Sequence, residues 1–223
     1  MTARPVFVSA QRQGRRLSCR LVVLAAMLSG FCAVQAAAQE AIGAVSRIQG
    51  EASGTRGGAT RALALNAAVF RNDVVSTGNA ARLEITLADN TRLTLGERAR
   101  LTLNRYDTNP GAGRGTIRFR VAGAFRFLSG QASKLARSDV VVTTPFATVG
   151  VRGTEFWAGP IDNQVLGVFL TEGAVSVSNA AGRQILNRPG QGTNIARRGA
   201  APGPVTLWPQ DKVNRALATV AFQ

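Results

Sequence analysis

The chain has 223 residues, 27 of them basic and 12 acidic, for a formal net charge of +15, and it contains no histidine. Its two cysteines, Cys19 and Cys32, both lie in the first 38 residues. Beyond that segment the common nucleophile–base pairs and most transition-metal sites are therefore excluded.

In chain order, the first element is a targeting segment. Arg4, Arg12, Arg15, Arg16 and Arg20 form a positive region free of acidic residues, Leu21 to Val34 is apolar, and Ala36, Ala37 and Ala38 are small. This is the three-part layout of a secretory signal peptide, with cleavage expected after Ala38. The apolar run of about 14 residues, interrupted by Ser29 and Gly30, falls short of the roughly 20 that span a bilayer. Phe31 before Cys32 does not suit lipidation, and Ser18 and Cys19 after Arg15 and Arg16 do not suit twin-arginine export. The expected mature chain has 223 − 38 = 185 residues, enough for one domain with a core, and a charge of 15 − 5 = +10. A periplasmic location is expected, with secretion as the alternative, and no transmembrane segment after cleavage. Export argues against nucleic acid as a physiological partner, although the charge would attract it in vitro. All basic residues but Lys134 and Lys212 are arginine. Arginine favours bidentate contact with carboxylates and phosphates; the other reading is a plain solvated face.

From Ala41 onward apolar residues fall at every second position. Leu83, Ile85 and Leu87 alternate with Arg82, Glu84 and Thr86; Leu93 and Leu95 enclose Thr94; Leu101 and Leu103 flank Thr102; Ile117, Phe119 and Val121 alternate with Thr116, Arg118 and Arg120. Period two with one apolar and one polar face predicts half-buried strands. Further strands are expected over 44–49, 140–144, 148–151, 165–170, 174–177 and 184–186. Turn formers stand at Gly57-Gly58, Thr77-Gly78, Asp89-Asn90, Asn109-Pro110-Gly111, Asp162-Asn163 and Glu172-Gly173. The expected class is all-β: a β-solenoid-like or rolled antiparallel sheet of about 10–14 short strands. The all-β domain is expected over 39–186. A Gly/Pro-rich surface segment and a short C-terminal helix follow over 187–223. In that helix Val213, Leu217 and Val220 share one face, and either cap the domain with Trp208 as anchor or dock on another protein.

Chemistry-bearing constellations are scarce. Ser133 and Lys134 are adjacent, so on a strand they face opposite sides. The acidic residues are scattered, mostly at turns or on polar faces, with no cluster for calcium. Gly111, Gly113 and Gly115 are spaced as a turn rather than as a phosphate loop. In the segment 140–157, VVVTTPFATVGVRGTEFW, Pro145 marks an edge or corner and Gly153 a tight bend or close backbone approach. Arg152 is expected either in an internal ion pair, with Asp73 or Glu172 as partner, or in solvent.

Several of these pieces together resemble the FecR domain family. They are Arg71-Asn72-Asp73-Val74-Val75-Ser76-Thr77-Gly78, Ala88-Asp89-Asn90-Thr91-Arg92-Leu93-Thr94-Leu95, Thr144-Pro145, Val151-Arg152-Gly153-Thr154-Glu155-Phe156 and Thr171-Glu172-Gly173-Ala174-Val175-Ser176-Val177. Asn90 stands where the family usually has glycine. The resemblance implies a compact all-β domain without catalysis or cofactor, with Asp73, Thr77, Gly78, Asp89, Pro145, Arg152, Gly153, Thr154, Glu172 and Gly173 as structural motif residues. The best-known relatives join a cytoplasmic anti-sigma segment and a membrane helix to this periplasmic domain, which receives a signal from an outer-membrane transporter. Only 38 residues precede the expected mature chain, so action through a second, membrane-spanning regulator or an outer-membrane protein is expected. The leading expectation is an envelope protein-interaction or signalling accessory module. The alternative is a binder of an anionic polymer, peptidoglycan or lipopolysaccharide, through outward Arg82, Arg92, Arg118, Arg120 and Arg126.

Overall fold

Alternation gives most strands one buried and one exposed face: Leu83, Ile85 and Leu87 are at most 2% exposed, while Arg82, Glu84 and Thr86 between them are half-buried. A computed structural model describes Thr2 and residues 40–223. The expected signal peptide, its cleavage point and both cysteines lie outside the described residues. The described chain forms β1 (Ala41–Gln49), β2 (Ala52–Arg56), β3 (Ala59–Ala62), β4 (Ala68–Phe70), β5 (Val74–Thr77), β6 (Arg82–Leu87), β7 (Arg92–Leu95) and β8 (Arg100–Asn109). It continues with β9 (Arg114–Ala122), β10 (Phe125–Leu128), β11 (Arg137–Thr143), β12 (Thr148–Ile161), β13 (Gln164–Asn179), β14 (Gly182–Leu186), β15 (Gln191–Ile195), β16 (Thr206–Leu207) and α1 (Gln210–Ala218).

All sixteen strands belong to one curled sheet, ordered β3-β2-β5-β8-β9-β11-β12-β10-β7-β6-β1-β4, with β13 along β12 and carrying β14 and β15. The curl centres on the β12–β13 ribbon. The first part of β12, Thr148–Val151, pairs with β11, whereas Glu155–Ala158 pairs with β10. Two wings result: β11, β9, β8, β5, β2 and β3 on one side, and β10, β7, β6, β1 and β4 on the other. The chain passes repeatedly from wing to wing, which gives the winding expected of a solenoid. Its neighbours are nonetheless antiparallel apart from the parallel β9–β11 pair, so the rolled antiparallel description fits. Strands β15 and β16 extend the sheet past Leu186, into the Gly/Pro-rich segment expected on the surface.

The main core lies between the wings. Phe119 of β9 meets Phe127 of β10 at 6.2 Å between ring centres, and Phe127 meets Phe156 of β12 at 5.5 Å. A smaller second core lies on the opposite face of the ribbon. Phe156 points into the first core and Trp157 into the second, where Trp208, Phe169, Val213, Ala216 and Val220 join it. Trp208 stacks on Phe169 at 5.4 Å, and Trp157 Nε1 donates to Thr219 Oγ1 at 3.0 Å. Thus α1 covers the second wing beside the ribbon. Its buried stripe is Val213, Ala216 and Val220, with Leu217 only partly buried. Asp162, in the β12–β13 turn, holds the helix through Lys212 at 3.3 Å and Arg215 at 3.0 Å.

The bend in the ribbon has an identifiable cause. Gly153 and Gly173 adopt φ of +57° and +79°, and the β12–β13 register slips between Arg152 and Phe156. A Cβ on Gly173 would overlap the Gly153 carbonyl and stand 2.9 Å from Thr154 Cα. Thr154 Oγ1 donates to the Ala174 carbonyl at 2.7 Å, and Thr154 N donates to Ser129 Oγ at 2.6 Å. These facing bulges re-aim both strands from one wing to the other.

A second device ties the wings together. Asp89, in the β6–β7 turn, accepts from Thr91 N at 3.2 Å, Thr91 Oγ1 at 2.8 Å, Ala132 N at 3.1 Å and the Tyr106 hydroxyl at 3.3 Å. Tyr106 belongs to β8 of the other wing, and it is the chain's one tyrosine. Burial, and then the adjacent Asp89 charge, push its phenol from the ordinary 10.0 up to about 12. Because the folded state resists forming the phenolate, the stability Tyr106 contributes is complete below pH 10 and is lost as the pH rises toward 12. Ultraviolet titration of the intact protein is expected to show phenolate absorbance with a midpoint near 12. A midpoint near 10, as for a free phenol, would contradict the latch.

Candidate functional site

The positions that alternate with the core residues form the outer faces of the two wings. On the first wing, strand register aligns Arg105, Arg118, Val141, Gly150, Ser176 and Ile185 in one row across β8, β9, β11, β12, β13 and β14. The next row runs Thr102, Arg120, Thr143, Thr148, Ser178 and Arg183. The middle of this face is low, built from Gly, Ser, Thr and Val. Arginines stand on both sides, Arg118 and Arg120 on β9 and Arg183 on β14. Arg114 and Arg137 extend the basic border at the strand ends.

Two carboxylates lie on this surface, and both are engaged. Asp139 pairs with Arg118 at 2.5 Å, and Asp107 with Arg105 at 2.5 Å and Arg71 at 3.1 Å. Among the described residues no carboxylate pairs with Arg120, Arg152 or Arg183. Their charge is open to solvent and to a partner.

The five arginines expected to form one anion-binding face do not do so. Arg118 and Arg120 lie on the first wing; Arg82, Arg92 and Arg126 lie on the second, on β6, β7 and β10. There Arg92 and Arg126 border a small pocket of about 150 Å³ with Glu84, Glu155, Thr94 and Leu128. Arg126 is ion-paired to Glu155, and Ser46 Oγ and Thr94 Oγ1 donate to Glu84 at 2.9 and 3.3 Å. Two arginines against two glutamates leave that pocket without net charge. Arg82 turns back to donate to the Ala81 carbonyl at 2.8 Å. Alternation shows which side of a strand a residue faces, but not which wing the strand joins. Sequence reasoning missed Arg105, Arg114, Arg137 and Arg183. Arg114 carries the signal, since it shares the parity of Arg118 and Arg120.

Most motif residues sit at turns and bulges. Asp73 is fully buried. Its carboxylate accepts from Arg61 at 2.5 Å and from Phe70 N at 3.0 Å, with Arg56 at 3.9 Å, and the Arg56 guanidinium lies 3.9 Å from the Phe70 ring centre. Thr77 Oγ1 donates to Gly96 O at 2.7 Å and accepts from Ala99 N at 2.9 Å; Gly78 N donates to Glu51 O at 2.9 Å. Asn90 has φ +66°, the conformation for which glycine is usual. Pro145 lies in the β11–β12 turn, where Thr144 Oγ1 accepts from Ala147 N at 3.0 Å.

Of the two expectations for Arg152 the structure gives the solvent one: it alternates with buried Val149 and Val151, is exposed on β12, and makes no ion pair with Asp73 or Glu172, the Asp73 carboxylate being occupied by Arg61 and Arg56. Glu172, also exposed, is the cross-strand neighbour of Glu155, whose carboxylate is taken by Arg126. Ser133 and Lys134 lie in a 3₁₀ turn rather than on a strand: Ser133 is buried and donates to Gly130 O at 2.8 Å, and Lys134 is exposed. Among the described residues no group of three or more Asp, Glu, His or Cys side chains could hold a metal ion. No described helix is long and apolar enough to cross a membrane.

Residues 73–176 match the family described as FecR protein. Two crystal structures, each described as a "putative anti-sigma factor" from Parabacteroides distasonis ATCC 8503, share the fold. One gives a TM-score of 0.53 at 17% identity over 65% of this chain and 63% of that one; the other gives 0.51 at 19% identity over 65% and 64%. The chain therefore spans just under two thirds of the length of each. A comparison with curated proteins finds no match.

The family match begins at Asp73, the buried carboxylate between β4 and β5. Asp73→Ala removes the partner of Phe70 N and leaves the Arg61 guanidinium, 34% exposed, uncompensated. It is expected to cost about 2–3 kcal/mol in urea unfolding, the partial exposure of Arg61 keeping it below a fully buried pair. Arg152→Ala, on the open face, is expected to stay within about 0.5 kcal/mol of the parent.

Proposed function

Since the chain carries a FecR-like region over residues 73–176, we propose that it is a non-catalytic interaction module of the cell envelope. In this reading residues 1–38 are a cleaved signal peptide, and the mature protein works in the periplasm as an accessory to a membrane-anchored regulator or an outer-membrane protein. The observation that carries the reading is the asymmetry of the outer faces. On the second wing the ribbon's outer apolar residues, Trp157 and Phe169, lie beneath α1 and Trp208. On the first wing the low strip from Val141 to Ser176 is bordered by arginines and left uncovered. A flat sheet face with charged borders suits another protein's surface better than a small substrate, for which a concave pocket is the usual site. The match to a family of envelope signalling domains, and the fold shared with proteins described as anti-sigma factors, support the assignment to signalling.

A specific observation favours a second reading. Arg120, Arg152 and Arg183 lack carboxylate partners among the described residues, an arrangement suited to the phosphates or carboxylates of peptidoglycan or lipopolysaccharide.

Photo-crosslinking in cells, with the reactive group at Thr148 or Ser176, is expected to capture one dominant envelope protein. The same group at Arg92 of the second wing is expected to capture little. Arg118→Glu with Arg120→Glu should reduce capture about tenfold or more, by placing like charge against an acidic partner. Capture from Arg92 alone, or from neither face, would contradict the interaction surface. Recovery of polymer instead, with retention falling steeply between low and physiological salt, would put the second reading first.

A further inference from the structure

A cavity of about 450 Å³ opens at one end of the roll, between the end of β9, the β11–β12 turn and the far end of the β12–β13 ribbon. It exists because the ribbon bends: Pro145 and Phe146, just before β12, come against Pro160 near the other end of β12 and Val165 and Leu166 at the start of β13. Val121 of β9 supplies core surface at its wall. Its volume is within the range of small-molecule sites.

The wall is poor in hydrogen-bonding side chains. Besides Arg198, the polar side chain in the lining is Thr144, and its hydroxyl is consumed within its own turn, donating to Ala147 O at 2.9 Å and accepting from Phe146 N and Ala147 N. Pro145 and Pro160 have no N–H to offer. A buried peptide amide would lose its water partners here without replacement, at a cost of a few kcal/mol. A saturated hydrocarbon chain loses nothing.

The rim is charged. Arg198 lies over the Phe146 ring, 5.4 Å from its centre, and the cavity lining contains no acidic residue. The rim is also fixed in place: Asn179 Nδ2 donates both to Phe146 O at 3.3 Å and to Ala200 O at 2.7 Å, tying the loop that bears Arg198 to the turn that bears Phe146. An apolar chamber with one guanidinium at its mouth fits an apolar body ending in a single planar anion.

We infer that this cavity binds an acyl chain with a terminal carboxylate, a fatty acid of medium length, with the chain between the β11–β12 turn and the ribbon end and the carboxylate on Arg198. The inference rests on the cavity alone, so it stands or falls independently of partner docking on the first wing. The test is calorimetric titration of the full protein with dodecanoate below its micelle-forming concentration. Saturable one-to-one binding is expected. Replacing the ligand by dodecanol, or Arg198 by Ala, should each weaken it about tenfold, the worth of one charge-assisted contact. Val165→Trp, at a half-buried lining position packed against the main core, should abolish it; the tyrosine titration reports whether that variant is folded, and Arg198→Ala tests the site independently. Absence of saturable dodecanoate binding, or binding indifferent to both variants, would overturn the inference. So would a peptide ending in phenylalanine binding where dodecanoate does not.

Discussion

The ribbon of β12 and β13 runs through both wings, and it can do so only by bending where Gly153 meets Gly173. No residue with a side chain fits at 173, because the Gly153 carbonyl occupies the space. Thr154 then supplies what the broken ladder lacks, bonding its hydroxyl to both backbone groups of Ala174, at 2.7 and 3.3 Å. From this bend follows the order of the sheet. β12 takes β11 as neighbour before the bulge and β10 after it, so strands that alternate along the chain sort into two facing layers. The apolar face of each layer has the other to pack against, and a single core results. Phe156 and Trp157, consecutive residues just past the bend, feed opposite sides of the ribbon and so require two cores rather than one.

The distribution of surface follows from the same geometry. The second core must be covered, and α1 with Trp208 covers it, which closes part of the outer face of one wing. The corresponding face of the other wing carries short side chains along its middle rows and needs no cover. Its arginines are separated widely enough in register that Asp107 and Asp139 neutralise only part of the charge. Bending also brings the two ends of β12 near one another, and the gap left between them is the apolar cavity beside Arg198. The uncovered face and the cavity are thus both by-products of one backbone feature.

Much of this was legible in the sequence. Strict alternation in β6 and β9 predicts both the strands and their buried residues, because a half-buried strand has no other economical pattern. The bend was harder to read. Glu172-Gly173 looks like a turn between two strands, yet β13 runs unbroken from Gln164 to Asn179. A glycine with positive φ serves equally well in a turn and in a bulge, and local sequence does not distinguish them. The shortest strands, β3, β4 and β16, are too brief to show a period. The arginine set divides between the wings for a related reason: parity is local, whereas the sorting of strands into wings depends on pairings distant in sequence. Ala216 of α1, although fully buried, is too small a residue to mark an apolar stripe in the sequence.

If the bend is the keystone, the cost of a single methyl group at position 173 should exceed what its backbone conformation alone accounts for. Urea unfolding of Gly173→Ala beside Gly57→Ala measures that difference directly. Both glycines have positive φ, +79° and +55°, but a Cβ at Gly57 meets nothing within 4 Å. Gly57→Ala should cost about 1 kcal/mol, the conformational penalty alone. Gly173→Ala should cost about 2–3 kcal/mol more, the added strain of overpacking against fixed backbone. Equal losses at the two positions would contradict the account, since the close approach of Gly173 to Gly153 would then hold nothing in place.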